Sequence, residues 1–277
     1  MAPRRLGQHF LASAAWRERI ARAVLGAAPQ VGASAPASEA AAPRGDLWIE
    51  IGAGHGEMTS LLAQRAGRVV AIELDDRLLP RLRQQTAGLS NVKVIAGDIL
   101  ALDLAVLADE QRFYVYGNLP YYITSPIVHR LLEHAERLEA AFLVVQLEVA
   151  ARITAQPGVR DYGYFSAFTQ FYSAPEILMR IPPGAFQPPP KVSSALVSLR
   201  LPGERARLGI ANEVGFVRFL KICFAQKRKT LRNNLRAVIQ EDRATAVLRE
   251  CGIAPNARAE EIGVSQLARI FAATERG

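Results

Sequence analysis

Between residues 47 and 146, short apolar runs of strand length alternate with longer stretches in which apolar side chains recur every three or four residues. The strand-like runs are Leu47–Ile51, Arg68–Glu73, Val92–Ala96, Phe113–Tyr116 and Ala140–Gln146. Parallel neighbours need a long crossover and a helix supplies it, so this alternation predicts an α/β protein with a largely parallel sheet and helices on both faces. Two further strands, Glu176–Ile181 and Ala195–Leu201, are separated only by a proline-rich segment. Ahead of the sheet, Ser13 to Leu25 reads as a helix with Trp16, Ile20 and Val24 on one face. Residues 27–46 are rich in Ala, Pro, Ser and Gly and have no period, the composition of a flexible loop. From Gly203 the pattern turns helical, with Phe216, Leu220 and Cys223 on one stripe and Leu231, Leu235 and Val238 on another. The chain thus divides into residues 1–202 and a smaller helical domain, 203–277.

The loops after the first four strands carry the chemistry. Gly52-Ala53-Gly54-His55-Gly56 follows the first strand and precedes a helical stretch, Glu57 to Ala66. Glycines there let the backbone turn tightly and approach a ligand. The second strand ends in Glu73-Leu74-Asp75, where a carboxylate can accept from a ribose diol, and the third in Gly97-Asp98-Ile99, where one can accept from an adenine amino group. After the fourth comes Asn118-Leu119-Pro120-Tyr121, ahead of a helix start at Ser125 (N-cap) and Pro126. An amide oxygen and a backbone carbonyl can together accept both hydrogens of an aromatic amine while a tyrosine stacks on its ring. Each signal has a bland reading. The glycine turn can be purely structural, and it fits the NAD fingerprint imperfectly because that motif places its last glycine one residue further on. Glu73 can be a solvated strand end, and Asp98 can cap a turn.

Their order on four successive strands resembles a class I (Rossmann-like) S-adenosylmethionine-dependent methyltransferase. Further segments narrow the resemblance: Arg4-Arg5-Leu6-Gly7-Gln8-His9-Phe10-Leu11, Phe186-Gln187-Pro188-Pro189-Pro190-Lys191-Val192 with Ser193-Ser194-Ala195, Gln226 to Leu235, and Arg258 to Glu261. Together they resemble the bacterial 16S ribosomal RNA adenine N6,N6-dimethyltransferases from about Arg4 to about Ala268. The resemblance implies a seven-stranded, mostly parallel sheet whose seventh strand is antiparallel, and S-adenosyl-L-methionine as methyl donor. Its implied contacts are His9, Leu11, Gly52, Gly54, Glu73, Asp98 and Asn118. The implied substrate is a pair of adjacent adenosines near the 3′ end of 16S rRNA in the small ribosomal subunit, with a second role as a checkpoint in subunit assembly. Asn118 Oδ1 and the Leu119 carbonyl would then accept from the adenine amine, Pro120 fix the backbone and Tyr121 stack on the base. Phe186 is a second stacking candidate, or equally a core aromatic. The chain departs from many family members at His9 and Tyr122, both commonly Asn, and at Ala53, a frequent Pro. Three rival readings are a large-subunit rRNA adenine methyltransferase, a non-catalytic RNA-binding factor and an NAD oxidoreductase.

Charge adds to this picture. Lys and Arg number 34 against 26 Asp and Glu, a net charge of +8, and the pI is about 9.9. Such a balance suits a polyanionic partner. The densest run is Lys227-Arg228-Lys229 with Arg232, flanked by Arg218, Lys221 and Arg236, and it reads as RNA-backbone contact. The two cysteines, Cys223 and Cys251, lack metal-ligand spacing and read as reduced and structural, and no metal is expected. No apolar run approaches a membrane span and the basic N-terminus soon becomes polar, so a soluble, cytoplasmic protein is expected.

Overall fold

The computed structural model describes residues 9–27 and 46–276, so most of the Ala/Pro-rich segment and the first eight residues lie outside the described residues. The chain forms two compact units. One comprises residues 1–150 and 176–200, the other 151–175 and 201–277.

The first unit is built on a seven-stranded sheet. In chain order the strands are β1 (Phe10–Leu11), β2 (Leu47–Ile51), β3 (Arg68–Glu73), β4 (Val92–Ala96), β5 (Phe113–Asn118), β6 (Leu138–Gln146), β7 (Ala174–Ile181), β8 (Phe186–Gln187) and β9 (Ser194–Arg200). The large sheet runs β4-β3-β2-β5-β6-β9-β7. Strands β2 to β6 pair in parallel, and β9 lies antiparallel to β6 with Ala140 opposite Arg200 and Gln146 opposite Ser194. All five residues of β2 are buried, as befits a central strand covered on both faces. On one face Trp48 stacks on Tyr114 and Phe142, with ring centroids 5.0 and 5.9 Å apart. Ile20 and Val24, from the helix Ala14–Ala27, belong to the same core cluster. The strand order reverses beside β2, whose neighbours are β3 and β5. Chain crossovers leave in opposite directions there, so a crevice opens outside the carboxyl ends of β2 and β5.

The seven expected strands are all present, three with the expected ends and four with ends shifted by one or two residues; the expected helix from Glu57 stops at Ala63. Other expectations are corrected. Strands β1 and β8 pair antiparallel (Phe10 with Gln187, Leu11 with Phe186), and two residues are too few to leave a periodic signal. The helix after Tyr121 starts at Thr124, two residues before the position expected from a Ser125 cap, with no side-chain cap at Ile123. Val238 is not on a buried stripe: its helix ends at Leu235, and Val238 is 49% exposed.

The second unit is helical and larger than the expected 203–277 domain. It takes in residues 151–175 because Tyr162, Ala167 and Phe171 pack in its core with Phe216, Leu220, Leu235, Leu267 and Phe271. The Tyr162 hydroxyl donates to the Ile262 carbonyl at 3.1 Å, tying the added segment to the last helix's approach. Cys223 and Cys251 are both free and buried within this unit.

Candidate active site

The crevice at the carboxyl ends of β2, β3, β4 and β5 is a cleft lined by His9, Phe10, Gly52, Gly54, Glu73, Leu74, Asp98, Asn118, Leu119, Pro120, Tyr121 and Tyr122, with Ile51, Ile72, Ile99, Ile123 and Ile127 among its apolar walls. A parallel sheet delivers all its strand ends to one edge, which is why four loops far apart in sequence converge here.

The loop after β2 turns through Gly54 at φ +59° and Gly56 at φ +90°, the left-handed region that side chains disfavour. A Cβ on Gly54 would stand 3.4 Å from the Phe10 ring, and one on Gly56 would stand 2.9 Å from Leu82 Cδ1. Glu73 holds this loop to the next: Oε2 accepts from the Gly54 amide and Oε1 from the Asp75 amide, each at 2.8 Å. Each oxygen keeps a lone pair for a further donor. Asp98 Oδ1 accepts from the Leu100 amide at 2.9 Å, so the turn-capping reading of Asp98 is true of its structure. Its place in the cleft allows a binding role as well.

Asn118 ends β5. Its Nδ2 donates to the His9 carbonyl at 2.9 Å. A carbonyl only accepts, so the contact fixes which end of the amide is NH2, and it leaves Oδ1 without a donor among the described residues. The Leu119 amide donates to the Val144 carbonyl at 3.0 Å, anchoring the loop to β6. The Pro120 carbonyl closes a turn by accepting from the Ile123 amide at 3.2 Å, with Tyr121 and Tyr122 at the turn's centre. The Tyr121 hydroxyl and Ser194 Oγ are hydrogen-bonded at 3.0 Å, and the His9 ring stacks on the Tyr121 ring with centroids 5.6 Å apart and planes 25° apart. His9 Nδ1 donates to the Pro188 carbonyl at 2.7 Å, which sets its tautomer.

The cleft thus brings together His9, Gly52, Gly54, Glu73, Asp98, Asn118, Leu119, Pro120 and Tyr121, as the sequence led us to expect. It does not include Leu11 or Phe186. Leu11 lines an adjoining cavity with Arg17, Glu50, Met58 and Tyr116. Phe186 is only 4% exposed and packs in the sheet core beside Leu11 and Ala185, so its core reading holds and its stacking reading is dropped. The sequence reasoning missed the Ser194 tie and the His9–Pro188 contact, which no local pattern signals. It also read Glu50 only as a strand residue. Burial pushes the Glu50 carboxyl up to about 8, and its Oε2 has no hydrogen-bond partner.

In the helical unit Arg228 and Lys229 are exposed and make no ion pair among the described residues, whereas the Lys227 ammonium donates to the Arg160 carbonyl at 2.7 Å. Arg232 is half-buried. The basic turn is held rigidly, since buried Asn234 donates to the carbonyls of Cys223 (2.6 Å) and Gln226 (3.4 Å).

The model of the family described as "Ribosomal RNA adenine dimethylase" matches residues 2–275. A ribosomal RNA small subunit methyltransferase A of Acidobacterium capsulatum is 42% identical over 273 residues, 98% of this chain and 90% of the relative. The chain belongs to the ribosomal RNA adenine dimethylase family. Among solved structures, a dimethyladenosine transferase from Plasmodium falciparum shares the fold at TM-score 0.79 and 22% identity, covering 97% of this chain and 98% of that one. The 23S rRNA methyltransferase ErmE superposes at TM-score 0.70 and 26% identity over 96% and 99% of the two chains. Among the described residues no helix is long and apolar enough to cross a membrane, and no group of three or more His, Cys, Asp or Glu could hold a metal ion.

Proposed function

We propose that this chain transfers methyl groups to N6 of two adjacent adenosines in the hairpin loop near the 3′ end of 16S rRNA, within the small ribosomal subunit, and that it serves as a checkpoint in subunit assembly. The donor is S-adenosyl-L-methionine, which supplies a methyl group on a positively charged sulfur. The cleft fits such a donor on two counts. The glycine turn leaves free a space that side chains would narrow, and Glu73 keeps lone pairs for a ribose diol at the edge of that space. His9, Gly52, Gly54, Glu73, Asp98 and Asn118 would hold it, Asp98 at the adenine end.

The observation that carries the reading is the fixed orientation of Asn118. An adenine amine is a poor nucleophile because its lone pair is delocalised into the ring. Asn118 Oδ1 and the Leu119 carbonyl accept from its two N–H groups, which favours a more tetrahedral nitrogen with its lone pair directed at the methyl carbon. Tyr121, pinned through Ser194, offers its ring to the base, and Pro120 fixes the backbone between these groups. The rate then comes from positioning and from dipoles aimed at the transition state, without a strong base. The base must leave its stack or be unpaired already. Arg228, Lys229, Lys227 and Arg232 contact the RNA backbone and contribute salt-dependent affinity.

The test is methyl transfer from labelled S-adenosylmethionine to unmethylated small subunits, with the modified nucleoside identified and mapped. Dimethyladenosine in the 3′-terminal hairpin is expected. The Asn118→Ala variant should lose transfer by at least about 10²-fold, the scale of one transition-state hydrogen bond, while donor binding is largely spared because the other donor contacts remain. Label only in large-subunit RNA would replace the substrate, and an Asn118→Ala enzyme with wild-type turnover would refute the mechanism.

A further inference from the structure

We infer that Tyr122 is a second stacking platform, which holds the base next to the one being methylated. The inference rests on the adenosine-methylating reading of the same cleft and names a contact beyond it. Tyr121 and Tyr122 occupy the centre of the turn closed by the Ile123 amide on the Pro120 carbonyl, and both line the cleft. Their surroundings differ sharply. Tyr121 is half-buried, its hydroxyl is bonded to Ser194, and His9 stacks on its ring. Tyr122 is 63% exposed, and among the described residues its ring stacks on nothing and its hydroxyl bonds to nothing. A large aromatic ring so exposed contributes little to the core. Leu74, on the same cleft and 47% exposed, adds apolar surface to the rim.

The occupant follows from the chemistry. A ring at the mouth of a cleft that takes one nucleobase offers a π face to a second, and successive residues carry their rings on Cα atoms only about 3.8 Å apart. A strand entering base-first at Tyr121 therefore carries its neighbouring base past Tyr122. Base–aromatic stacking is sequence-tolerant, so the contact acts on RNA affinity and register rather than on choice of base. As a positioning residue, Tyr122 determines how the adjacent nucleotide is held while its partner reacts.

The experiment compares wild type with Tyr122→Ala and Tyr122→Phe on unmethylated small subunits, reading KM for the subunit, kcat, donor affinity, and the distribution of methyl groups between the two adenosines. Tyr122→Ala should raise KM about 5- to 150-fold, the range that corresponds to loss of one stacked base, with donor affinity unchanged. Its methyl groups should be distributed less evenly between the two adenosines. Tyr122→Phe keeps the ring and should behave as wild type. A Tyr122→Ala enzyme with unchanged KM and unchanged distribution overturns the inference, as does a Tyr122→Phe enzyme impaired equally with it, since the hydroxyl would then be the active group. If wild type itself transfers no methyl to small subunits, the underlying reading fails and takes this one with it.

Discussion

Replacing Glu50 with glutamine tests the electrostatics of the sheet beneath the glycine loop. Glu50 is the penultimate residue of β2, 2% exposed, and its Oε2 has no hydrogen-bond partner. Burial, reinforced by the nearby Glu73 and Glu57 carboxylates, pushes its pKa from the ordinary 4.5 up to about 8. The group is therefore a neutral acid in the folded chain at neutral pH, while in the unfolded chain it is ionised. A folded-state pKa raised in this way gives stability that is complete below pH 4.5 and is lost as pH rises to about 8, where the loss levels off. At about 1.36 kcal/mol per pH unit, the full loss is about 5 kcal/mol. His134 works in the opposite sense: burial and the neighbouring Arg130 hold it below its usual 6.5, so its effect is confined to lower pH. The diagnostic window is thus pH 6.5 to 8, where Glu50 alone should remove about 2 kcal/mol.

The assay is urea unfolding at steps of pH across that window, followed by tryptophan fluorescence. Both tryptophans, Trp16 and Trp48, lie in the sheet unit, and Trp48 is two residues from Glu50 in the same strand. Wild type should lose stability with rising pH, and Glu50→Gln, which carries no ionisable proton, should lose about 2 kcal/mol less over the same interval. Parallel curves for the two proteins would show that Glu50 is already ionised when folded and would refute the argument.

Two further outcomes follow from positions already described. Gly56→Ala forces a side chain into φ +90° and within 2.9 Å of Leu82 Cδ1, so it should destabilise by more than about 1 kcal/mol in thermal unfolding, whereas Gly88→Ala, whose Cβ meets nothing within 4 Å, should change stability by less than about 0.5 kcal/mol. Arg228→Ala and Lys229→Ala should each weaken binding to small subunits and lower the slope of log affinity against log salt by about one, with donor affinity unchanged; a salt slope equal to that of wild type in both would exclude these side chains from the RNA interface.

Much of the sheet was legible because its central strands are buried on both faces and so read as mostly apolar runs, Glu50 and Glu139 being the charged interruptions in β2 and β6. What escaped detection lacked a period or depended on distant partners. The β1–β8 pair is two residues long, and the helix after Tyr121 starts without the capping bond that a Ser-Pro dipeptide suggests. The helix Tyr164–Tyr172 is apolar enough to suit either core, and its sequence carries no mark of joining Phe216 and Phe271 rather than the sheet. Phe186 shows the same limit at the site. A phenylalanine before a proline run serves equally well as a platform or as packing, and its burial in the sheet core, with Leu11 opposite it, decides for packing.

The site was more legible than the domain boundary for a physical reason. In a parallel sheet, strand order alone brings every carboxyl-terminal loop to one edge, so a glycine turn, two acidic ends and Asn-Leu-Pro-Tyr on successive strands had to converge. Strand order does not determine how the polar groups are oriented once they meet. That depends on bonds between residues far apart in the chain: Asn118 to the His9 carbonyl, Tyr121 to Ser194, and Glu73 to the amides of two loops. Apart from the carboxylate contacts, these bonds join a side-chain amide to a main-chain carbonyl and one hydroxyl to another. A site that works by accepting two amine hydrogens needs acceptors fixed in place rather than a group that titrates, and the residues meeting at this cleft supply that.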